Sequence, residues 1–125
     1  MLDRMLQKQK ELQERLGYDF NNMTKEEITA YIKEFSIHLT QELHEMLYVL
    51  PYFKPWKDYS AMTIEEYEAG MEEARKEFID MFHFMLNIAL ALNMSDKDIY
   101  NMYLAKNKEN HRRQDEGYTH DKSYR

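Results

Sequence analysis

The chain has 125 residues, enough for one domain with a core of its own, and a formal net charge of −6. It has no cysteine, three glycines and two prolines. That excludes a disulfide framework, thiolate zinc and cysteine nucleophiles, and it favours helix throughout. The acidic balance argues against a general nucleic-acid binder, which is ordinarily basic. It does not oppose a small polyphosphate, because a metal can bridge two anions.

The start, MLDRMLQKQKELQERL, is charged and lacks an apolar stretch, so no signal peptide is expected. It reads as a first helix over roughly 2–16. Capping boxes place the next three. Thr24 with Glu27 opens a helix over about 24–49, and Thr63 with Glu66 one over about 64–93. Ser95 with the shorter Asp98 opens one over about 96–115, which Gly117 ends. Pro51 and Pro55 rule out continuous helix between the second and third. The longest apolar stretch, Phe82 to Leu92, is interrupted by His83 and Asn87 and is too short to span a membrane. The expectation is an all-α, four-helix bundle-like domain over 1–118 with a polar tail over 119–125. It is expected in the cytoplasm, with neither a nucleic-acid nor a membrane partner.

Each helix has an apolar stripe that turns polar part-way along. In the first it is Leu2, Met5, Gln9, Leu12 and Leu16; in the second Ile28, Ile32, Phe35, Leu39, Glu42 and Met46. In the third it is Ala74, Glu77, Met81, Phe84 and Ile88; in the fourth Ile99, Tyr103, Lys106, Asn110 and Arg113. One break is ordinary. Four breaks predict a polar pocket walled by all four helices.

Within the second and third stripes stand two carboxylate pairs, Glu42-x-x-Glu45 and Glu77-x-x-Asp80. Three residues apart on a helix is one face, so each pair points one way. If the helices pack together, four acids converge, and they cannot all stay ionised without a cation. Oxygen-only ligands favour Mg²⁺ or Mn²⁺. The plainer alternative is a solvated face, which is how Glu65, Glu66, Glu68, Glu72 and Glu73 read. A di-iron bundle needs a second E-x-x-H type pair beside Asp80-x-x-His83, and none is in register. His44-Glu45 lacks the histidine that a zinc-protease motif requires. His83 is expected in the core, and His38 and His44 at the surface. Lys106, Asn110 and Arg113 share one helical face and suit phosphate oxygens, or else a solvated helix end. Gln9 and Gln13 present amides, each with donor and acceptor, that match either uracil or cytosine when turned over. Trp56, with Phe53, either stacks on a base or pins the loop.

The segments MLQKQKELQERL, QELHEML, FKPWK, EFIDMFHFMLNIALAL and YLAKNKENHRRQDEGY together resemble the all-α nucleoside triphosphate pyrophosphohydrolase superfamily. Within it they are most similar to the dimeric-type dUTPases, including the T-even phage dCTPase–dUTPases. The resemblance implies Mg²⁺-dependent hydrolysis of dUTP or dCTP to the monophosphate and pyrophosphate, by a homodimer. It implies magnesium ligands at Glu42, Glu45, Glu77 and Asp80, with Glu45 also orienting or deprotonating the attacking water. Lys106, Asn110, Arg113 and Tyr118 resemble the phosphate-binding residues, and Lys57 joins them from the W-K string. Gln9 and Gln13 resemble the base-recognition positions; Trp56, Phe84 (against the sugar) and Asn87 complete that end. Gln13 stands where many cellular relatives have Asn, and Asn87 where several have Ser, so the choice of pyrimidine stays open. The chain also lacks their long middle insertion. Two alternatives remain at this point: a house-cleaning pyrophosphohydrolase of modified nucleotides, and a non-catalytic helical interaction protein.

Overall fold

The computed structural model describes residues 1–117; Tyr118 and the tail 119–125 lie outside the described residues. The elements in chain order are α1 (Leu2–Arg15), a short 3-10 helix (Phe20–Asn22), α2 (Lys25–Val49), α3 (Ile64–Ala91) and α4 (Asp96–Asp115). No strand occurs among the described residues, so the fold is all-α.

The helix starts follow the capping chemistry. The Thr24 hydroxyl accepts from the Glu27 N–H while the Glu27 carboxylate accepts from the Thr24 N–H. Ser95 and Asp98 make the same reciprocal pair, so the shorter aspartate arm suffices. At Thr63 only half of the box forms: the hydroxyl accepts from the Glu66 N–H, but the Glu66 carboxylate takes a bond from that hydroxyl rather than from the backbone. α4 ends at Gly117, whose φ of +86° is the left-handed turn glycine supplies without steric cost.

α2 and α3 form the main contact of the molecule and run antiparallel. Gly70 lies against Val49, Glu77 against Glu42, and Phe84 against Phe35. Each step of seven residues back along α2 meets a step of seven forward along α3. That is the heptad register of a coiled-coil seam, in which layers are normally apolar. At the open end, a Cβ on Gly70 would come within 3.0 Å of the Pro51 ring and 3.1 Å of the Val49 carbonyl. Glycine there lets the chain turn tightly out of α2 across α3.

α1 lies on α3 and touches α4. The α3–α4 bend of 102° carries α4 away from the seam, so α4 makes only marginal contact with α2 and α3 and buries no residue. The fully buried apolar set is small: Leu6, Tyr31, Ala74, Leu86 and Ala91. The accessible surface is 9918 Å², whereas a folded monomer of 15.3 kDa exposes about 7,100 Å² by the usual mass scaling. The uncovered surface includes an apolar groove of about 370 Å³ where α1, α3 and α4 meet, lined by Leu2, Phe82, Met85, Leu92, Met94 and Ile99 among others. Among the described residues, no single helix is long and apolar enough to cross a membrane.

Candidate active site

Carboxylates replace apolar residues in one layer of the seam. Glu42, Glu45 and Glu77 each offer an oxygen, and these oxygens lie within 4.8 Å of one another. Glu42 and Glu77 are half-buried, and one oxygen of each, Oε2, is inaccessible to solvent and makes no hydrogen bond. Burial, followed by contact with Glu77 and Glu45, pushes the Glu42 carboxyl up to about 7. Buried polar atoms are ordinarily satisfied, so two orphaned carboxylate oxygens in one layer call for an external partner. An all-oxygen donor set of this charge fits a hard divalent cation and fits no soft one. Asp80, one turn beyond Glu77, is exposed and stands outside this group of three. Glu72 and Glu73, as expected, sit on the solvated face, paired with Arg75 and Lys76.

The next layer is aromatic. Phe84 lies 5.7 Å from Phe35 and 5.8 Å from His38, centroid to centroid, and is half-buried between them. His38, expected at the surface, is therefore partly enclosed. His83, expected in the core, is exposed, because the position beside Phe84 is rotated about 100° off the seam.

The layer after that is amide. Gln9, Gln13 and Asn87 are the buried polar residues of the described chain. The Gln9 Nε2 donates to the Asn87 Oδ1 at 2.7 Å, and the Tyr31 hydroxyl donates to the Gln13 Oε1 at 2.8 Å. This corrects the stripe expected for α1. Leu6, Gln9 and Gln13 face inward, while Met5, Leu12 and Leu16 face solvent. The amides win the inner face because α3 and α2 supply their partners. From Glu42 to Tyr31 the seam spans roughly 16 Å at 1.5 Å per residue.

The other candidates lie apart. Trp56 is 70 % exposed and Lys57 is exposed, both in the loop between α2 and α3. Lys106 is exposed; Asn110 and Arg113 are half-buried, with Arg113 Nε 3.5 Å from Glu109. Of the four walls expected for the pocket, the described residues bring together three, from α1, α2 and α3. Tyr118 lies outside the described residues.

A family model described as dUTPase matches residues 1–97 and 85–118. The chain belongs to the dUTPase family. A dCTP pyrophosphatase of Enterobacteria phage LZ5 is 31% identical over 138 residues, covering 91% of this chain and 80% of the relative. A dCTP pyrophosphatase of Enterobacteria phage T4 is 38% identical over 71 residues, 50% of this chain and 42% of the relative. A T4 DNA replication protein is 34% identical over 61 residues, 16% of its length. No solved structure matches.

Within this family member, Tyr31 of the seam escaped the sequence reading, and His38 was read as a surface residue. Tyr31 falls three residues after Ile28 and four before Phe35, squarely on the inner face. His38 continues that face toward Glu42. Their helical spacing was the available signal.

Proposed function

We propose that this protein hydrolyses dCTP or dUTP to the monophosphate and pyrophosphate, using a divalent cation held by the carboxylate layer. As a member of its family the chain is a nucleoside triphosphate pyrophosphohydrolase acting on deoxypyrimidines. The observation that carries the metal reading is the pair of orphaned oxygens on Glu42 and Glu77 beside Glu45. Glu42, Glu45 and Glu77 would hold the ion, with Asp80 as a fourth ligand from the adjoining turn. Mg²⁺ (or Mn²⁺) would supply Lewis acidity toward phosphate oxygens and acidify a water.

The chain's own residues do the rest. Glu45, the exposed member of the trio, orients the attacking water and takes its proton. Lys106, Asn110 and Arg113 on α4, with Lys57 and Tyr118, bind the phosphate chain, and the cations offset charge on the departing pyrophosphate. Phe84 stands against the sugar, where an added hydroxyl would meet an apolar wall. Gln9, Gln13 and Asn87 read the pyrimidine edge, with Trp56 closing over the base. The enzyme works in the cytoplasm as a homodimer. Support for the dimer is the uncovered α4 and the apolar groove.

The test is pyrophosphate release over dCTP, dUTP, dTTP, dUDP and modified pyrimidine triphosphates, with Mg²⁺. Turnover of dCTP or dUTP well above the others is expected. Turnover of modified pyrimidines alone, or of none, contradicts the proposal.

A further inference from the structure

His38 is the polar member of the aromatic layer in the seam. Its ring lies 5.5 Å from Phe35 on its own helix and 5.8 Å from Phe84 across the seam. Those contacts hold the imidazole toward α3, while 42 % of the side chain stays accessible. Nε2 stands 3.6 Å from the Glu34 Oε1, beyond hydrogen-bond reach. Neither ring nitrogen makes a hydrogen bond among the described residues. The hydroxyls nearby on α2 are already committed: Ser36 donates to the Ile32 carbonyl and Thr40 to the Ser36 carbonyl. His38 therefore holds bonding capacity that its surroundings do not use.

Its place along α2 points to the group that fits it. Tyr31, His38 and Glu45 are seven residues apart and share one line of that helix. At 1.5 Å per residue, His38 lies about 10 Å from Tyr31 in the amide layer and about 6 Å from Glu42. A nucleotide carries base, sugar and phosphates in that fixed order. With its base at the amides and its phosphates at the carboxylates, its sugar falls on the layer of Phe84 and His38. The sugar of a deoxynucleoside triphosphate has one free hydroxyl, at C3′. A hydroxyl both donates and accepts, and an imidazole offers a donor, an acceptor or both. The bond therefore forms with the ring neutral or charged, and with either nitrogen toward the sugar.

We propose that His38 is a substrate-binding residue that hydrogen-bonds the sugar 3′-hydroxyl, so that the protein selects deoxypyrimidine triphosphates over their 2′,3′-dideoxy analogues. This rests on the reading that base and phosphates lie at the amide and carboxylate layers. Phe84 and His38 divide the sugar between them: the apolar ring opposes a 2′-hydroxyl, and the imidazole takes the 3′-hydroxyl.

The experiment measures kcat/KM for dCTP and dUTP, each beside its 2′,3′-dideoxy analogue, in the unaltered full chain and in His38→Phe. Phe keeps an aromatic ring against Phe35 and Phe84 and removes both nitrogens. The unaltered chain should prefer the substrate with the 3′-hydroxyl by roughly two- to tenfold, the worth of one hydrogen bond. In His38→Phe the preference should fall to near unity, through loss on the deoxynucleotide with little change for the dideoxy analogue. No preference in the unaltered chain, or one that survives in His38→Phe, overturns the inference. An equal fall for both members of a pair means a structural role only and overturns it too. If the unaltered chain turns over neither dCTP nor dUTP, the proposed function itself fails and the inference falls with it. A second readout needs no variant: the nitrogen resonances of the His38 ring should move on adding dCMP and far less on adding 2′,3′-dideoxy-CMP. Equal movement with the two overturns the inference.

Discussion

Two polar clusters share the inner face of this molecule and solve burial in opposite ways. The amide cluster is bonded within itself: Gln9 bonds Asn87 and Gln13 bonds Tyr31. The carboxylate cluster, roughly 16 Å away along the seam, is left open, with Oε2 of Glu42 and of Glu77 unbonded. Polar groups that satisfy one another hold the fold together; like charges left unsatisfied destabilise it until something else arrives. The difference separates groups that build the pocket from groups that wait for a cation.

The sharpest way to break that distinction is to change charge without changing shape. Glu45→Gln should lower turnover of dCTP or dUTP by about 10²–10⁴-fold, the range for loss of a general base. Its melting temperature should stay close to that of the parent, because Glu45 is exposed. Steady-state kinetics and a thermal melt together check it.

Gln9→Leu attacks the bonded cluster and leaves the Asn87 oxygen buried and unbonded. It should cost roughly 1–3 kcal/mol of stability in a denaturant titration. Glu42→Leu attacks the open one and should do the reverse, stabilising the cation-free protein near pH 8 by about 1 kcal/mol or more, since an apolar residue suits a heptad layer. It should also abolish turnover.

The last test concerns pH. Glu42 has a folded pKa of about 7 against an ordinary 4.5. Between those values the native state holds a proton that the unfolded chain has released. Stability of the cation-free protein should therefore fall as pH rises from 4.5 to about 7 and level off above. Saturating Mg²⁺ should weaken that slope, and Glu42→Leu should remove it; melts at a series of pH values show both.

Much of this was legible in the sequence because the signals are local. Thr24, Thr63 and Ser95 mark helix starts through bonds to residues three positions on, and the boundaries fall within a residue or two of expectation. The α2 and α3 stripes were in the right phase because the two helices pack those faces against each other. α1 was misphased for a reason periodicity cannot see. Counting apolar residues puts Leu12 and Leu16 inside, but partners on α2 and α3, distant in the chain, reward turning Gln9 and Gln13 inward. The cationic row on α4 was read as a fourth wall of the pocket. The bend that carries α4 off the seam depends on the Leu92–Met94 link and on what α4 packs against, neither of which a stripe records.

The central claim is that the carboxylate layer is a divalent-cation site. Titrating Mg²⁺ into the protein without nucleotide, and following the melting temperature at pH 8, tests it most directly. The account predicts stabilisation that grows with Mg²⁺ concentration, about 2.7 kcal/mol at one hundred times the dissociation constant, and none in Glu42→Leu. An identical response in both proteins, or none in either, would contradict it.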